Sequence, residues 1–451
     1  MRLSGALTLL SIGLLAGASL ASCSSDPPRP TLTGEALLDP NTCASCHPDH
    51  FREWSGSMHA YAAEDPVFLA MNRRMQRESN GALGDFCVKC HAPMAVRLGK
   101  TRDGLNLADL PQKLRGVTCY FCHSVAAVTG SHDAALTLDD AQFGGAIADP
   151  IKGTPHGARA SAFHDRERAE SSSLCGACHD VITPHGAHIE RTFLEWTQSL
   201  YAKPSPKTQL TCGKCHMESR LGKAAAVADA PTRRLHDHSM PAVDVALTPF
   251  PEADDQRRRV QQFLDGSLIA KLCVRRSEEG FVADVSLDNA FAGHAFPSGA
   301  AQDRRVWVEL VATRGDAVVY SSGVVRDGEA AAKLADPNLW LLRDKIFDAA
   351  GREVHMFWEA ARVEPQQLPA AVTSDPSDPA FFHAVTRSYL IGGAAPDRIK
   401  MRVRMRPIDF DVLDDLVQSG DLERAVVERV PTFDLAGAVK EWRDGEGPCG
   451  K

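Results

Sequence analysis

One short pattern, repeated five times, carries the chemistry this chain can perform. Cys43-Ala-Ser-Cys46-His47, Cys87-Val-Lys-Cys90-His91, Cys119-Tyr-Phe-Cys122-His123, Cys175-Gly-Ala-Cys178-His179 and Cys212-Gly-Lys-Cys215-His216 all read C-x-x-C-H, the attachment signature of c-type haem. Two thiols three residues apart can form thioethers to the two vinyl groups of one porphyrin. The next residue then sets its imidazole under the iron as proximal ligand. Zinc ribbons and thioredoxin-like sites also need cysteine pairs, but neither requires a histidine directly after each pair. The pattern therefore predicts five covalently bound c-type haems, with His47, His91, His123, His179 and His216 on the irons.

Of 17 histidines, those outside the motifs decide what the irons can do. A second imidazole closes an iron for electron transfer, whereas a missing one leaves a position open for substrate. His59, in Trp54-Ser-Gly-Ser-Met-His59, is the leading distal ligand. Its partner is expected to be a neighbouring haem rather than that of His47, because twelve residues of continuous helix would carry it about 18 Å along the axis. His156 and His164 lie in the longest gap between motifs, which two ligands would explain. His236 and His238 stand two apart, so in an extended segment they point oppositely and one, preferably His238, meets iron. His294, in Ala292-Gly-His-Ala-Phe-Pro-Ser-Gly299, sits in a Gly- and Pro-containing loop able to reach across a domain boundary. His185 and His188 are reserves. His50, His132, His355 and His383 read as structural or surface residues, and Arg73-Arg74 and Arg257-Arg258-Arg259 as solvated helix faces.

These ligands need elements to hold them, and the chain changes character near residue 250. Before it lie all five motifs, Gly- and Pro-rich connections and helical patterns at 48–55, 66–78 and 191–200, so the porphyrins must supply much of the core. After it a helix pattern at 252–264 leads to alternating runs at 281–287, 305–312, 317–320, 353–358, 384–391 and 399–405, which read as antiparallel strands. The expected class is α+β: a mainly helical, loop-rich multihaem domain followed by an antiparallel β-sandwich. The divisions are a signal peptide over 1–22, a tether over 23–40, a pentahaem region over 41–250, a linking helix over 251–275, the sandwich over 276–410 and a tail over 411–451. In the tail, 411–417 and 435–442 look helical, and the tail is expected to pack on the sandwich.

The N-terminus and the cysteine usage place the chain outside the cytoplasm. Arg2, an apolar run to Leu20 and small residues before a cysteine form an export signal, and Leu20-Ala21-Ser22-Cys23 predicts lipidation of Cys23. No later run reaches the about 20 apolar residues needed to span a bilayer, so the expectation is an exported protein held by lipid in the bacterial cell envelope, on the periplasmic side or at the outer membrane. Of 13 cysteines, only Cys273 and Cys449 fall outside these roles. They could form a disulfide in an oxidising compartment, or Cys273 could remain a buried free thiol. A net charge of −8 argues against nucleic acid as a partner.

The run Cys43-x-x-Cys-His47 with Trp54-Ser-x-Ser-x-His59, together with Leu174-Cys-Gly-Ala-Cys-His-Asp180, Glu195-Trp196 and Cys215-His216-Met217, resembles the multihaem c-type cytochromes related to hydroxylamine oxidoreductase and to the tetrahaem cytochrome that accepts its electrons. The segment 292–299 is similar to the start of a C-terminal β domain found in environmental multihaem cytochromes. The resemblance implies mostly bis-histidine iron, with His59 and His294 as distal ligands and His156, His164 and His238 beside them. The five motifs differ from the eight of the catalytic members, and there is no C-x-x-C-K site. The expected function is electron transfer through five haems between a redox protein donor and acceptor, rather than catalysis. The alternatives are an oxidoreductase acting on a small nitrogen or sulfur species at one open haem, and a docking subunit of a larger redox complex.

Overall fold

The computed structural model describes residues 32–139, 141–150 and 154–449; the signal, Cys23 and the first part of the tether lie outside them. The haem-motif half is built from short helices. Helix α1 (Pro48–Ser55) starts directly on His47, with Pro48 in its first turn, where a missing N–H costs nothing. Helix α2 (Pro66–Glu78) is capped by the Asp65 carboxylate, which accepts from the Val67 amide at 2.9 Å, and it buries Val67, Phe68, Ala70, Met71 and Met75 along one face. Helix α3 (Thr192–Gln198) precedes the last motif, and α4 (Ala253–Asp265) buries Gln256, Val260 and Leu264 at helical spacing.

The second half has two antiparallel sheets face to face and, beside them, a small antiparallel sheet of Asp344–Phe347, Glu353–Val354 and Arg362–Pro365. One has β1 (Ile269–Ser277) and the later β5 (Val385–Ile391) on either side of β2 (Gly280–Asp288). The other centres on β3 (Arg305–Arg314) between β4 (Ala317–Ser322) and β6 (Arg398–Arg406), with Trp340–Leu342, Phe433–Asp434 and Lys440–Arg443 at its margins. Leu272, Val274, Ala283, Val285 and Leu287 from the first sheet close one core with Val306, Val308, Leu310, Ile399, Met401 and Val403 from the second. The fold class is the expected α+β. Among the described residues no helix is long and apolar enough to cross a membrane.

Several elements differ from the sequence pattern. Residues 269–277, counted largely with the linker, form edge strand β1, whose partner is β2 throughout. The alternation at 353–358 yields only a two-residue strand, Glu353–Val354, and then a helical turn at Phe357–Glu359; Met356 and Trp358 are buried, but in a separate cluster with α2. The 435–442 segment is a turn followed by strand Lys440–Arg443 rather than a helix, because it pairs with β6. Helix α5 (Phe410–Gln418) packs Phe410, Leu413 and Leu416 against Val67, Ala70, Met71 and Met75 of α2, so part of the tail leans on the haem half instead of the sandwich. Across that same contact Arg73 and Arg77 bond to Asp421 and Arg74 pairs with Asp415, while Arg74 also pairs with Glu78 within α2. Cys273 and Cys449 form a disulfide that ties the chain end to β1.

Where the halves meet the tail, Arg305 is fully enclosed and donates to Asp411 at 2.7 Å, with Asp409 at 3.9 Å. Removing one partner of a buried pair leaves an uncompensated charge in low dielectric. Asp411→Ala is expected to lower unfolding stability by about 3 kcal/mol or more, measured by denaturant titration with tryptophan emission as the signal.

Candidate haem-binding site

Each motif forms a single tight turn, and that turn puts two thiols and an imidazole on one side. The amides of His47, His91 and His179 donate to the carbonyls of Cys43, Cys87 and Cys175 at 2.8, 3.3 and 3.0 Å. In Cys119–His123 and Cys212–His216 the turn is a short helix capped by the Thr118 and Thr211 hydroxyls. The motif imidazoles are then fixed at one nitrogen. Nδ1 of His47, His91, His123 and His216 donates to the carbonyls of Ala224, Ala62, Gly144 and Pro241 at 2.6, 2.9, 2.7 and 2.8 Å. This bond selects the tautomer with a bare Nε2, the form that ligates metal. Burial also keeps the rings neutral: it pushes His123 down to about 3 and His216 to about 4, and lowers His47, His91 and His179.

Four of these rings face a second imidazole. Two imidazoles on opposite sides of one iron, each bonded at about 2 Å, hold their ring centres about 6 Å apart. His179 and His59 are 6.1 Å apart, His47 and His156 6.2 Å, His123 and His238 6.2 Å, and His216 and His294 6.5 Å. The outer members repeat the device of the motif residues. Nδ1 of His238, His294 and His156 donates to the carbonyls of His236, Ala295 and Gly157 at 2.8, 2.8 and 3.2 Å. Burial lowers His238 to about 3, His59 to about 4, and His294 as well.

The structure places two other histidines differently from the sequence reading. His164 sits 5.3 Å from His123, but both its nitrogens are engaged: Nε2 donates to the Cys122 carbonyl at 2.8 Å, and Nδ1 meets the Ser161 hydroxyl at 2.9 Å. It buttresses the third motif and has no free nitrogen for metal. His50 lies in the same interior, its ring 4.6 Å from that of His238 and its Nδ1 3.3 Å from Glu53. Glu53, which sequence reasoning did not single out, is a buried carboxylate that also accepts the His238 amide at 3.1 Å and pairs with Arg220 at 2.9 Å. Its signal was one helical turn: His50 and Glu53 share a face of α1. The reserves His185 and His188 stay apart from these pairs, with His188 3.5 Å from Asp180.

His91 is the exception among the motif histidines. Its ring neighbour is Phe68, stacked at 4.0 Å and within 2° of parallel, and among the described residues no imidazole faces it at the spacing of the other four.

The thiols, which stand where thioether sulfurs would be, also order the motifs. Cys43 contacts Cys119, Cys90 contacts Cys178, and Cys175 contacts Cys212, while the Cys122 thiol feels Cys178. The first motif thus neighbours the third, the second the fourth, and the fourth the fifth. His59 feels His179, His91 and His216 together, which sets the fourth motif at the junction.

All ten motif cysteines, all five motif histidines and His59, His156, His238 and His294 line one cavity of about 1580 Å³. Protein interiors pack densely, with few voids larger than a water molecule, and ordinary ligand pockets hold about 300–1,000 Å³. Its walls also include Leu37, Phe51, Val117, Phe143, Phe193 and Phe263. Paired thiols, neutral imidazoles and an apolar lining fit five c-type haems. When bound, that cofactor supplies one-electron iron chemistry, and these residues hold it, orient it and exclude water.

A family model described as cytochrome c554 and c-prime matches residues 42–124, a span that holds the first three motifs. No curated protein matches the chain. Among solved structures, a penta-heme cytochrome c552 from Thermochromatium tepidum is similar at 21% identity with a TM-score of 0.61, over 90% of this chain and 98% of that one. At that identity the likeness is one of fold. The motifs, the cavity they line and these two likenesses support a multihaem c-type cytochrome.

Proposed function

We propose that the chain transfers electrons through five haems in the cell envelope, four of them closed by two histidines. The carrying observation is the set of four imidazole pairs at 6.1–6.5 Å, each joining a motif histidine to a distant part of the chain. In this reading His47 and His156, His123 and His238, His179 and His59, and His216 and His294 are axial pairs. An iron with both axial positions filled changes charge without gaining or losing a ligand, which suits it to passing single electrons. Thiol contacts set the first site beside the third and the fourth beside the fifth, and all five motifs line one cavity, so electrons would pass between neighbouring haems to a redox protein at each end.

A second reading attaches to His91. With no imidazole facing it among the described residues, its haem would keep an axial position for a small inorganic species, of the nitrogen or sulfur kind, fed by electrons from the fourth site. Kinship with the hydroxylamine oxidoreductase group belongs to this reading. Lipid attachment at Cys23 belongs to the electron-transfer reading and would hold the protein at the membrane; in a separate reading the sandwich docks a larger redox complex.

Optical and EPR spectra of the oxidised holoprotein are expected to show one high-spin haem in five, and carbon monoxide is expected to bind that one after reduction. Five low-spin haems would reject the open site at His91. His59→Ala is expected to add a second high-spin haem while all five remain attached by mass. For the anchor, the wild type is expected in the membrane fraction and Cys23→Ser in the soluble fraction or unprocessed. Equal membrane association of the two would rule out lipid attachment.

A further inference from the structure

His294 comes from the sandwich half, in the loop between β2 and β3, yet it faces His216 of the last motif. A loop that carries a ligand over such a boundary needs something on the far side to hold it. That something is Glu195, on α3 of the haem half. Its Oε2 accepts the Ala295 amide at 3.2 Å and the Ser298 hydroxyl at 2.6 Å, bracketing His294 from the residue after it. One turn earlier on the same helix, the Thr192 hydroxyl accepts the Gly299 amide at 2.9 Å and lies 2.9 Å from the Ser298 hydroxyl.

The sandwich half grips the other side of the loop. Buried Asn289 donates to the His294 carbonyl at 2.7 Å, and Phe296 exchanges backbone bonds of 3.0 and 2.8 Å with Leu368. Arg191 keeps the Glu195 carboxylate in place: it stands 3.5 Å from it, 2.7 Å from enclosed Asp344 and 2.7 Å from Gln367, which in turn donates to the Pro297 carbonyl. The grip on the ligand loop is thus two-sided; the haem half supplies its share through the Tyr201 hydroxyl, which donates to the Ala290 carbonyl before His294, and through the Glu195 carboxylate and Thr192 hydroxyl of α3 after it.

We propose that Glu195 is the positioning residue that aims His294 at the iron held by His216, so that docking of the sandwich and closure of that iron are one event. The proposal rests on the reading that His216 and His294 are an axial pair. A carboxylate suits the task because one oxygen can accept from an amide and a hydroxyl at once, and charge-assisted bonds are the shorter and stronger kind. A glutamine in the same place keeps an acceptor oxygen; an alanine leaves the Ala295 amide and the Ser298 hydroxyl unpaired beside the cavity.

The test uses the haem-loaded full chain and reads low-temperature EPR and the optical high-spin band. His294→Ala is expected to convert one haem from low spin to high spin. Glu195→Ala is expected to produce the same conversion with His294 intact, and Glu195→Gln to restore the low-spin signal of the wild type. A merely structural role would lower thermal stability without changing spin state. Glu195→Ala with a wild-type spectrum, alongside a converted His294→Ala, overturns the positioning role and leaves the axial pair standing. An unchanged spectrum in His294→Ala overturns the axial pair, and the proposal with it. Should Glu195→Ala not accumulate as folded holoprotein, Glu195→Asp decides: it keeps the charge but withdraws the acceptor by one methylene, and loss of low-spin signal supports the proposal where an unchanged signal overturns it.

Discussion

The structure depends on a hydrogen bond from an imidazole Nδ1 to a backbone carbonyl. His47, His91, His123 and His216 each make it, and so do His156, His238 and His294, and the acceptors of the first four lie outside their own motifs, at Ala224, Ala62, Pro241 and, on the short strand Phe143–Gly145, Gly144. A neutral ring with one nitrogen tied and the other bare is the species that binds iron, and its orientation is set by the tie. The chain between motifs is then more than a connection. Its turns deliver carbonyls to places where a ring must be held, which explains why the haem half has few long helices and many short ones. A helix satisfies its own carbonyls, whereas an irregular segment leaves them available for a side chain.

The same economy applies to the sandwich. The sheet half has a core of its own, closed by Leu272, Val285, Val308, Ile399 and Met401, and it also buries side chains on the haem half: Met356 and Trp358 in the cluster of α2, Ile346 and Ala360 with Ala187 and Ile189. Other contacts between the halves hold residues of the cavity. The His294 loop is held between α3 and the residues around Leu368. Arg304 donates to Asp244 at 3.0 Å through two nitrogens and lines the cavity beside it. Helix α5 covers α2, whose Phe68 lies on His91. These contacts place the second half as a wall of the cofactor chamber, and the disulfide between Cys273 and Cys449 secures the chain end to the sheet edge of that wall.

How much of this was legible in the sequence follows from how local each feature is. The motifs are five-residue turns, so spacing alone specifies them. Helices α1 and α2 carry their own proline starts and apolar faces, and the structure has them over the residues their patterns indicated. Helix geometry alone predicts that His59 lies away from His47, and the imidazole it faces is that of His179, at 6.1 Å. What stayed hidden is what tertiary neighbours decide. His164 and His156 look alike in sequence, yet the Cys122 carbonyl and Ser161 occupy both nitrogens of the first, whereas the second bonds the Gly157 carbonyl through Nδ1 and lies 6.2 Å from His47. Strand β1 looked like the end of a linker because half of its alternation is polar, and only pairing with β2 along its whole length makes it a strand. Lys440–Arg443 likewise becomes a strand through β6.

His91 differs from the other four motif histidines in its surroundings. Its motif lies beside the fourth, with Cys90 against Cys178. Phe68 stacks flat on the His91 ring, and among the described residues no imidazole faces His91 at the spacing of the other four pairs. On the reading proposed above, a haem held by His91 would keep an axial position that the other four lack, and its place beside the fourth motif is what would supply it with electrons.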